Sequence, residues 1–489
     1  MRQAGATVDT LRDSLDLQKA FNYPDHNDDP LFQTRGRTYY IAPGEYRIGR
    51  KLVISRDSVM VLGLTGNPED VVLRGQGFVD GNRTDDFIFQ IWYASDIIIS
   101  GVTMYDAMGA GVQMTDNIDR ALIRNCRFID IGERSVKIPK GGTSDSCIID
   151  SNYFHQINSI SPDREDGFDG EYVAGIDGMD CNGWIIRDNV FRGIQGANNY
   201  GRSAIFFWNG CKDLLIERNI IFDCDYGIWV GNPSSSKDIE NVMIKNNFIH
   251  TLPGRSAFDA NYSKNIYFYN NTCYNDCFSG GSYNTEVCSG APVHFSAVVK
   301  NSDSVMIENN ILMGTIDNRG TMDYSNNCFN AERSWFVNPD SGDLHLAEYN
   351  AEVVNAGTVL ESVPFDIDGD PRTSSNDMGA DQYTSEDAIE DFKTDNFVPS
   401  GIFAFPNPFN PKVSMFFPAQ NPAGKTPRMR IYNLTGKLIK EVFGNPREGG
   451  FSFFWNGSTG TGEGASSGIY ICRLKYGGKT ESLKIILAR

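Results

Sequence analysis

The sequence predicts an all-β protein, with a long solenoid of stacked parallel strands followed by a small C-terminal β-sandwich. Three observations favour this fold class. A pattern of apolar residues, two polar residues and an asparagine recurs roughly every 24 to 39 residues, which suits a solenoid coil. Apolar and polar residues alternate between these repeats, and helical periodicity is nearly absent. The last segment, of about 85 residues, contains short alternating strands separated by glycine-rich turns.

The repeated asparagine is predicted to hold the coils in register. Each repeat is expected to contain two strands and two turns, and Cys126 takes the place of the asparagine in LIRNCRF. Asparagines at the same turn of successive coils can hydrogen-bond to one another, as in other stacked β structures. The predicted members of this asparagine ladder are Asn152, Asn189, Asn219, Asn247, Asn271 and Asn310.

Composition narrows the possible partners. The 489 residues have a formal net charge of -18, which argues against nucleic acid or an anionic membrane, since both require a basic surface. No apolar run approaches a membrane span, and residues 1–20 lack the apolar core of a signal peptide, so any export signal is expected to have been removed. The ten cysteines lack zinc-finger spacing, and Cys277 and Cys288 flank a loop that a disulfide can close.

The repeat pattern resembles the right-handed parallel β-helix of the pectate-lyase-like superfamily, over residues 35–383. Within this resemblance, residues 1–34 look like a capping segment with a short amphipathic helix, and GRTYYIAPGEYRIGRKLVI looks like a first coil. The segments DLHLAEYNAEVVNAG and FDIDGDPRTSSNDMGADQY are similar to the closing segment of secreted bacterial β-helix proteins. DIDGD suggests calcium, but it lacks the spaced ligands of an EF-hand, so a closing turn is the favoured interpretation.

The C-terminal part is predicted to be a separate domain. Residues 384–400 are acidic and poor in apolar residues, as is typical of a linker. Residues 401–489 resemble the sorting domain of cargo exported by the type IX secretion system, through PNPFNP, IYNLTGK, WNG, SGIY and a final basic residue. The resemblance implies contact with the secretion machinery and a secreted or cell-surface location. An ordinary immunoglobulin-like accessory module is the alternative.

One strand of each repeat is predicted to carry a strip of outward-facing side chains. Because side chains alternate along a strand, residues that follow the apolar core positions point outward, and neighbouring rungs are about 4.8 Å apart. Aromatic rings flanked by polar groups suit a sugar polymer. Packing of Phe206 and Trp229 beneath a loop is the alternative. The predicted strip contains Gln113, Lys137, Asp177, Phe206, Trp229, Asp259 and His294.

Insertions near this strip add charged residues. Arg202, Arg134 and Arg255 each precede a strand of the strip at an equivalent position. They are expected either to form a ladder of guanidinium groups along the edge or to be turn residues that pair with the acidic loops. The insertion SISPDREDGFDGEYVA has enough carboxylates for a hard cation such as calcium, and a solvated acidic loop is the alternative. Its acidic residues are Asp163, Glu165, Asp166, Asp169 and Glu171.

The strip favours a polysaccharide lyase. In this reaction a base removes the proton beside a uronate carboxylate, while calcium or a basic side chain neutralises the developing charge. Lys137 beside Asp177 fits this division, although the two can also form a plain cross-strand ion pair. A glycoside hydrolase requires two nearby carboxyl groups, for which Asp177 and Asp180 are the candidates. A non-catalytic glycan-binding or surface-adhesion protein is the further alternative.

Overall fold

The protein is described from a computed structural model. The described residues are 8–21, 37–78, 86–161, 170–235, 238–284, 288, 295–372, 376–383, 403–405, 413–418, 427–433, 437–447, 450–460, 462–466, 468–476 and 479–487. The chain forms two compact units, and the boundary between the β-helix and the C-terminal unit follows residue 394. The predicted linker, residues 384–400, lies outside the described residues.

Three parallel sheets form the first unit, which confirms the predicted right-handed parallel β-helix. Sheet 1 has ten described strands, one from each of ten successive coils. They are Leu52–Ile54, Phe87–Trp92, Ala110–Thr115, Arg134–Ile138, Ala174–Met179, Ile205–Trp208, Ile228–Val230, Phe258–Asn261, Phe295–Lys300 and Thr315–Arg319.

Sheet 2 precedes the ladder turn in each coil. Its strands are Val8–Leu11, Arg37–Ile41, Val59–Gly63, Ile98–Ser100, Ile118–Asp119, Leu122–Arg124, Ser144–Asp145, Ile148–Asp150, Cys181–Asn182, Ile185–Arg187, Lys212–Glu217, Ile239–Lys245, Ser263–Tyr269, Asp303–Glu308 and Met322–Ser325.

Sheet 3 follows the ladder turn, so a coil has three main strands where two were expected. The structure divides IIRDNVF into two strands on either side of the asparagine, because the turn separates an apolar run that is continuous in the sequence. The strands of sheet 3 are Gly44–Arg47, Val71–Arg74, Thr103–Ala107, Arg127–Ile131, Tyr153–His155, Val190–Arg192, Ile220–Cys224, Phe248–Thr251, Thr272–Tyr274 and Ile311–Leu312.

The asparagine ladder is confirmed and continues beyond the predicted members to Asn327. The side-chain amide of each asparagine donates to Oδ1 of the next at 2.9 to 3.1 Å. Cys126 occupies the predicted slot, where its backbone N–H donates to Asn152 Oδ1 at 2.9 Å. The predicted asparagines are all fully buried, so the amide chain satisfies polar groups that water cannot reach.

A left-handed residue makes the bend that brings each ladder side chain inward. The residue before each ladder position has φ between 49° and 59°, in the left-handed region that asparagine and aspartate tolerate best. These residues are Asn125, Ser151, Asp188, Arg218, Asn246, Asn270, Asn309 and Asn326.

The core of the β-helix lies between the three sheets. Phe128, Phe154 and Phe191 stack from coil to coil, with ring centroids 4.6 and 4.4 Å apart. At the N-terminal end, the helix Ser14–Phe21 buries its apolar face, and the ring of Phe21 packs 4.8 Å from that of Tyr39. The predicted capping helix therefore forms, after a strand of sheet 2 that the sequence analysis missed.

Short elements outside the three sheets complete the first unit. The antiparallel hairpin of Phe278–Ser279 with Ser282–Tyr283 is inserted after the sheet 3 strand Thr272–Tyr274, and that of Phe336–Asn338 with Asp343–Leu346 follows the last coil. The predicted disulfide between Cys277 and Cys288 is confirmed. Three short 3-10 helices, Pro68–Asp70, Arg333–Trp335 and Pro339–Ser341, complete the described helices of the β-helix unit.

The C-terminal unit is a β-sandwich of two antiparallel four-stranded sheets, as predicted. Its apolar core includes Met415, Met429, Trp455 and Leu474. One sheet contains Phe403–Phe405, Val413–Pro418, Asn445–Arg447 and Gly450–Trp455. The other contains Arg428–Asn433, Leu438–Phe443, Gly468–Tyr476 and Lys479–Leu487.

Candidate functional site

The register of sheet 1 assembles the predicted strip into one column of side chains. We name it the outer column. Its strands pair in parallel, so successive members are neighbours on adjacent rungs, about 4.8 Å apart. Six predicted residues belong to it, and three further residues extend it at its two ends. The outer column is Gln90, Gln113, Lys137, Asp177, Phe206, Trp229, Asp259, Val298 and Asp317.

The prediction for His294 is wrong in register. The rung after Asp259 belongs to Val298, four residues further along the chain. His294 itself lies outside the described residues. The sequence PVHFSAVVK offers two apolar-alternating alignments, and the strand Phe295–Lys300 uses the later one. At the first-coil end, Gln90 and Gln113 both donate to Thr115 Oγ1 at 3.4 Å, which gives this end an amide and hydroxyl surface.

Asp177 is the most densely bonded carboxylate of the outer column. Its Oδ2 accepts hydrogen bonds from Arg134 Nε at 2.7 Å and from Lys137 Nζ at 2.6 Å. Its Oδ1 accepts one from Trp208 Nε1 at 2.9 Å. The side chain is only 1% exposed. The expectation that Asp177 lies on an exposed strip is therefore wrong, because the residues that bind it also cover it.

The charges of this cluster are balanced. Burial alone would raise the pKa of Asp177, but Lys137 and Arg134 outweigh burial and lower the pKa below its ordinary value. Burial lowers the pKa of Lys137, and the attraction of Asp177 offsets only part of this effect. Glu133 lies 3.7 Å from Arg134, so two acidic and two basic groups are present. Of Lys137 and Asp177, the lysine is the one that retains solvent contact, with 13% of its side chain exposed.

Two tryptophans form the accessible aromatic surface. Phe206 is 2% exposed, so the alternative of ordinary packing is correct for this residue. Its ring stacks on Trp208, with centroids 5.7 Å apart and planes 4° apart, and meets Trp229 edge-on at 5.7 Å. Trp208 and Trp229 are both half-buried. Trp208 was not predicted from the sequence, although its position two residues after Phe206 places both on the same face of the strand.

Trp229 has an additional polar feature. Its Nε1 is buried and has no hydrogen-bond partner among the described residues. Tyr226 packs against the indole with ring centroids 4.6 Å apart. Arg255 lies over Tyr200 at 3.9 Å and donates from Nε to Asn199 O at 2.7 Å, so the insertion after sheet 3 is anchored here. Because Arg134 instead binds Asp177, Arg134 and Arg255 do not share an edge ladder.

Arg202 is held at the edge of the site by its backbone. Its N–H donates to Val173 O at 2.7 Å, and its side chain is half-buried. The neighbouring acidic insertion is described only at its end. There, Glu171 accepts backbone N–H groups of Asn198 at 2.6 Å and Tyr200 at 2.9 Å, so this carboxylate fixes a loop. The other four predicted metal ligands, Asp163, Glu165, Asp166 and Asp169, lie outside the described residues.

Asp259 differs from Asp177 in its surroundings. Burial raises the pKa of Asp259 to about 7, with Asp317 acting in the same direction and Lys300 opposing it. Asp317 stands two rungs away, a separation of about 10 Å by strand spacing. Arg319 donates to Asp317 at 3.0 Å. Two carboxyl groups with different surroundings therefore share this end of the outer column.

Asp180 lies outside the outer column. It follows the strand Ala174–Met179 and has a left-handed φ of 52°, at the turn towards sheet 2. Asp177 lies in the middle of that strand and is occupied by Arg134 and Lys137. The geometry therefore does not favour these two residues as the carboxyl pair of a hydrolase.

No protein-family model matches the chain, and no curated protein matches it. Among solved structures, the chain is similar to an alginate lyase from Paenibacillus, at 13% identity and a TM-score of 0.38, over 66% of this chain and 100% of that one. A surface adhesin of Streptococcus pneumoniae is similar at 15% identity and a TM-score of 0.41, over 67% of this chain and 90% of that one. The A-module of a mannuronan C-5 epimerase of Azotobacter vinelandii is similar at 14% identity and a TM-score of 0.31, over 64% of this chain and 94% of that one. Similarities at this level assign no activity to this chain.

None of the helices in the described residues is long and apolar enough to cross a bilayer.

Proposed function

We propose that the outer column binds an acidic polysaccharide and that the protein cleaves it as a lyase. The observation that carries this proposal is the shared carboxylate of Asp177, which binds Lys137 Nζ through Oδ2 and Trp208 Nε1 through Oδ1. A basic group and an aromatic face are thereby fixed side by side. Pyranose rings stack on tryptophan faces, and a uronate carboxylate is attracted to a cation at the same place.

Lys137 is the proposed base. Its lowered pKa increases the fraction of neutral amine, which is the form that can accept a proton. The amine takes the proton beside the uronate carboxylate, and the released electron pair forms the carbon–carbon double bond. The glycosidic carbon–oxygen bond breaks, and the leaving oxygen takes a proton from water. Asp177 and Arg134 act as positioning residues, because they are too buried to touch the polymer.

Trp229 extends the proposed binding surface along the rungs, and Arg202 is proposed to contact the polymer from the edge of the site. The half-buried ring of Trp229 offers a second stacking position two rungs from Asp177. Gln113 offers an amide to hydroxyl groups on the rung before Lys137. Calcium is proposed to bridge the substrate carboxylates and the acidic insertion. Because Glu171 already accepts two backbone N–H groups, the proposed calcium ligands are the other acidic residues of that insertion, Asp163, Glu165, Asp166 and Asp169.

The test is a screen of pectic, alginate-like and glycosaminoglycan polymers, with and without calcium, which follows the ultraviolet absorbance of unsaturated uronate ends. Lys137→Met is expected to reduce product formation about 100-fold or more. Lys137→Arg keeps a positive charge beside Asp177 but cannot supply a neutral base. We therefore expect it to lose as much activity as Lys137→Met. The control is Lys212→Met, which removes an exposed lysine of sheet 2 that pairs with Glu240. Full activity in Lys137→Met would refute the proposed base.

Hydrolysis is the second candidate function, and the specific observation in its favour is the pair Asp259 and Asp317. An inverting glycosidase uses one protonated and one ionised carboxyl group about 6.5 to 9.5 Å apart, close to the rung estimate for this pair. Reducing ends without unsaturation, lost in Asp259→Asn, would favour this reaction. Binding that is lost in Trp229→Ala, with no product from any polymer, would favour the non-catalytic adhesion protein.

We also propose that the C-terminal β-sandwich directs export through the type IX secretion system. The support is the ordered set of motifs in residues 401–489, together with an acidic chain that carries a disulfide, which suits an oxidising compartment outside the cytoplasm. On this proposal the protein acts in the medium or at the cell surface, where extracellular polysaccharide is available.

A further inference from the structure

A cluster of metal-binding groups lies in the closing segment, away from the outer column. His345 belongs to the strand Asp343–Leu346, Asp368 to the DIDGD turn, and Asp381 to the segment that follows it. One ligand atom from each of the three lies within 4.8 Å of the other two. Segments that are distant in the sequence therefore bring an imidazole and two carboxylates together.

The imidazole is oriented as in many metal sites. His345 Nδ1 lies 2.6 Å from Asp343 Oδ1, and Asp343 is itself buried. Phe248 packs edge-on against the ring at 4.8 Å, so both its position and its rotation are fixed. His345 Nε2 lies 2.9 Å from Asp368 Oδ2, so a metal ion would bind at Nε2 in place of the proton that the imidazole shares with Asp368. A carboxylate that holds the far nitrogen of a histidine is the usual support of a metal ligand.

Asp381 supplies an independent observation. The residue is only 3% exposed, and its Oδ2 accepts the backbone N–H of Leu346 at 2.9 Å. Its Oδ1 is buried and has no hydrogen-bond partner among the described residues. A buried carboxylate oxygen without a donor is costly, and a cation at this position satisfies it.

Within the DIDGD turn, Asp368 is available as a ligand, whereas Asp366 holds the turn in shape. Asp366 Oδ1 accepts the backbone N–H groups of Asp368 at 3.0 Å and Asp370 at 2.7 Å, and its Oδ2 accepts that of Gln382 at 3.0 Å. The backbone N–H of Ile367 donates to Ala380 O at 2.9 Å, which fixes the turn beside the segment that carries Asp381. Asp366 is thus consumed in shaping the turn, while Asp368 is 48% exposed and opens the site to water.

We propose that His345, Asp368 and Asp381 bind one divalent transition-metal cation of the zinc type, with water in the remaining position. A nitrogen ligand together with two carboxylates suits such a cation, whereas calcium and magnesium prefer oxygen ligands alone. The cation would join the last hairpin to the DIDGD turn and so clamp the closed end of the β-helix. This site is separate from the proposed polysaccharide surface.

The experiment uses the full chain, stripped with chelator, dialysed and titrated with Zn²⁺ alone. We expect one Zn²⁺ per chain by elemental analysis and calorimetry, and a higher thermal unfolding midpoint of the β-helix. Asp368→Asn, which changes the exposed ligand, and His345→Gln should each remove the bound metal and the increase in midpoint. His250→Gln is the matched control, because His250 also lies beside a carboxylate, that of Asp276 at 3.2 Å, but outside the cluster.

Two results would overturn the proposal. One is a folded wild-type chain that binds no Zn²⁺, or that keeps its stoichiometry in both ligand variants. The other is Ca²⁺ that binds in place of Zn²⁺ with the same dependence on Asp368, which would contradict the nitrogen ligand. The circular dichroism spectrum of each variant is compared with that of the wild type, and Asp368→Asn decides if His345→Gln does not fold. Because Asp368 is not part of the outer column, the polymer screen on Asp368→Asn separates this site from the lyase proposal.

Discussion

The side chain of Asp177 illustrates what a single residue does in this site. Strand alternation places it on the outer face of sheet 1, and the register confirms this position. Its burial depends on Arg134 from the preceding rung and Trp208 from the following rung. A group held by three donors keeps its charge and orients its neighbours, so in the proposed mechanism Asp177 positions Lys137 and Trp208 rather than exchanging protons.

Asp259 is expected to make the stability of the β-helix depend on pH. Because burial raises its pKa in the folded state to about 7 from 3.8, the protonated form stabilises the fold. This contribution is complete below about pH 4 and is lost as the pH rises to about 7. Relative to Asp259→Asn, which cannot ionise, the wild type should lose at most about 4 kcal/mol over this range.

Urea unfolding followed by tryptophan fluorescence at several pH values measures this difference. The comparison of interest is the difference between wild type and Asp259→Asn at each pH, since other carboxyl groups titrate equally in both. Parallel pH profiles for the two proteins would mean that Asp259 ionises with an ordinary pKa. A separate shift in the pH dependence of product formation would indicate that Asp259 takes part in the reaction.

Much of the site at the residue scale was accessible from the sequence, and its cross-rung contacts were not. Alternation correctly placed Lys137, Asp177, Trp229 and Asp259 in one column. Sequence alone left open whether Phe206 is exposed or packed, because its burial depends on which rings of adjacent coils cover it. The proposed metal site of the closing segment was also not predicted, since DIDGD was interpreted as a closing turn. Its three ligands have no regular spacing in the sequence, and their proximity depends on how the segment folds back.

At the scale of the structural element, the asparagine ladder is expected to be a major source of stability. Asn219 is fully buried, accepts the amide of Asn189 at 3.0 Å and donates to Asn247 at 2.9 Å. Asn219→Ala leaves both neighbours with unsatisfied groups in the core, so we expect a loss of about 3 kcal/mol or more in the free energy of unfolding. Chemical denaturation of the purified variant measures this loss.

The matched control for the ladder is Asn182→Ala. Asn182 lies in the short strand Cys181–Asn182 of sheet 2, but its side chain is exposed. Its substitution should change the free energy of unfolding by less than about 0.5 kcal/mol. Equal losses in the two variants would show that the buried amide chain adds nothing beyond what any asparagine of a coil contributes.

The elements themselves were predictable to the extent that their signal is local. The six asparagines were found because each repeats the same neighbours, and Asn327 carries the same signal in MDYSNNCF. Sheet 3 was not separated from sheet 2, because an apolar run that bends at one left-handed residue has the same periodicity as one that does not. The hairpin Phe336–Asn338 with Asp343–Leu346 was also missed, because its pairing is set by tertiary contacts rather than by a local pattern.

At the scale of the whole molecule, deletion of residues 401–489 is expected to separate folding from export. Among the described residues, each apolar cluster is formed within a single unit. The truncated chain should therefore fold with an unchanged thermal midpoint for the β-helix but remain inside a type IX-competent host. Immunoblots of cell and medium fractions measure the location. Unchanged secretion would identify the sandwich as an accessory module.

The ladder has a consequence for how such a chain can change over evolution. From Asn152 to Asn327, successive ladder asparagines are 37, 30, 28, 24, 39 and 17 residues apart, yet their amide bonds are equivalent. The amide chain thus fixes where each coil begins, irrespective of the path taken since the previous one. Segments between sheets 3 and 1 can lengthen, shorten or be exchanged without moving the rungs above and below. A scaffold with this property can acquire new binding surfaces by recombination of its loops while its core sequence stays constant.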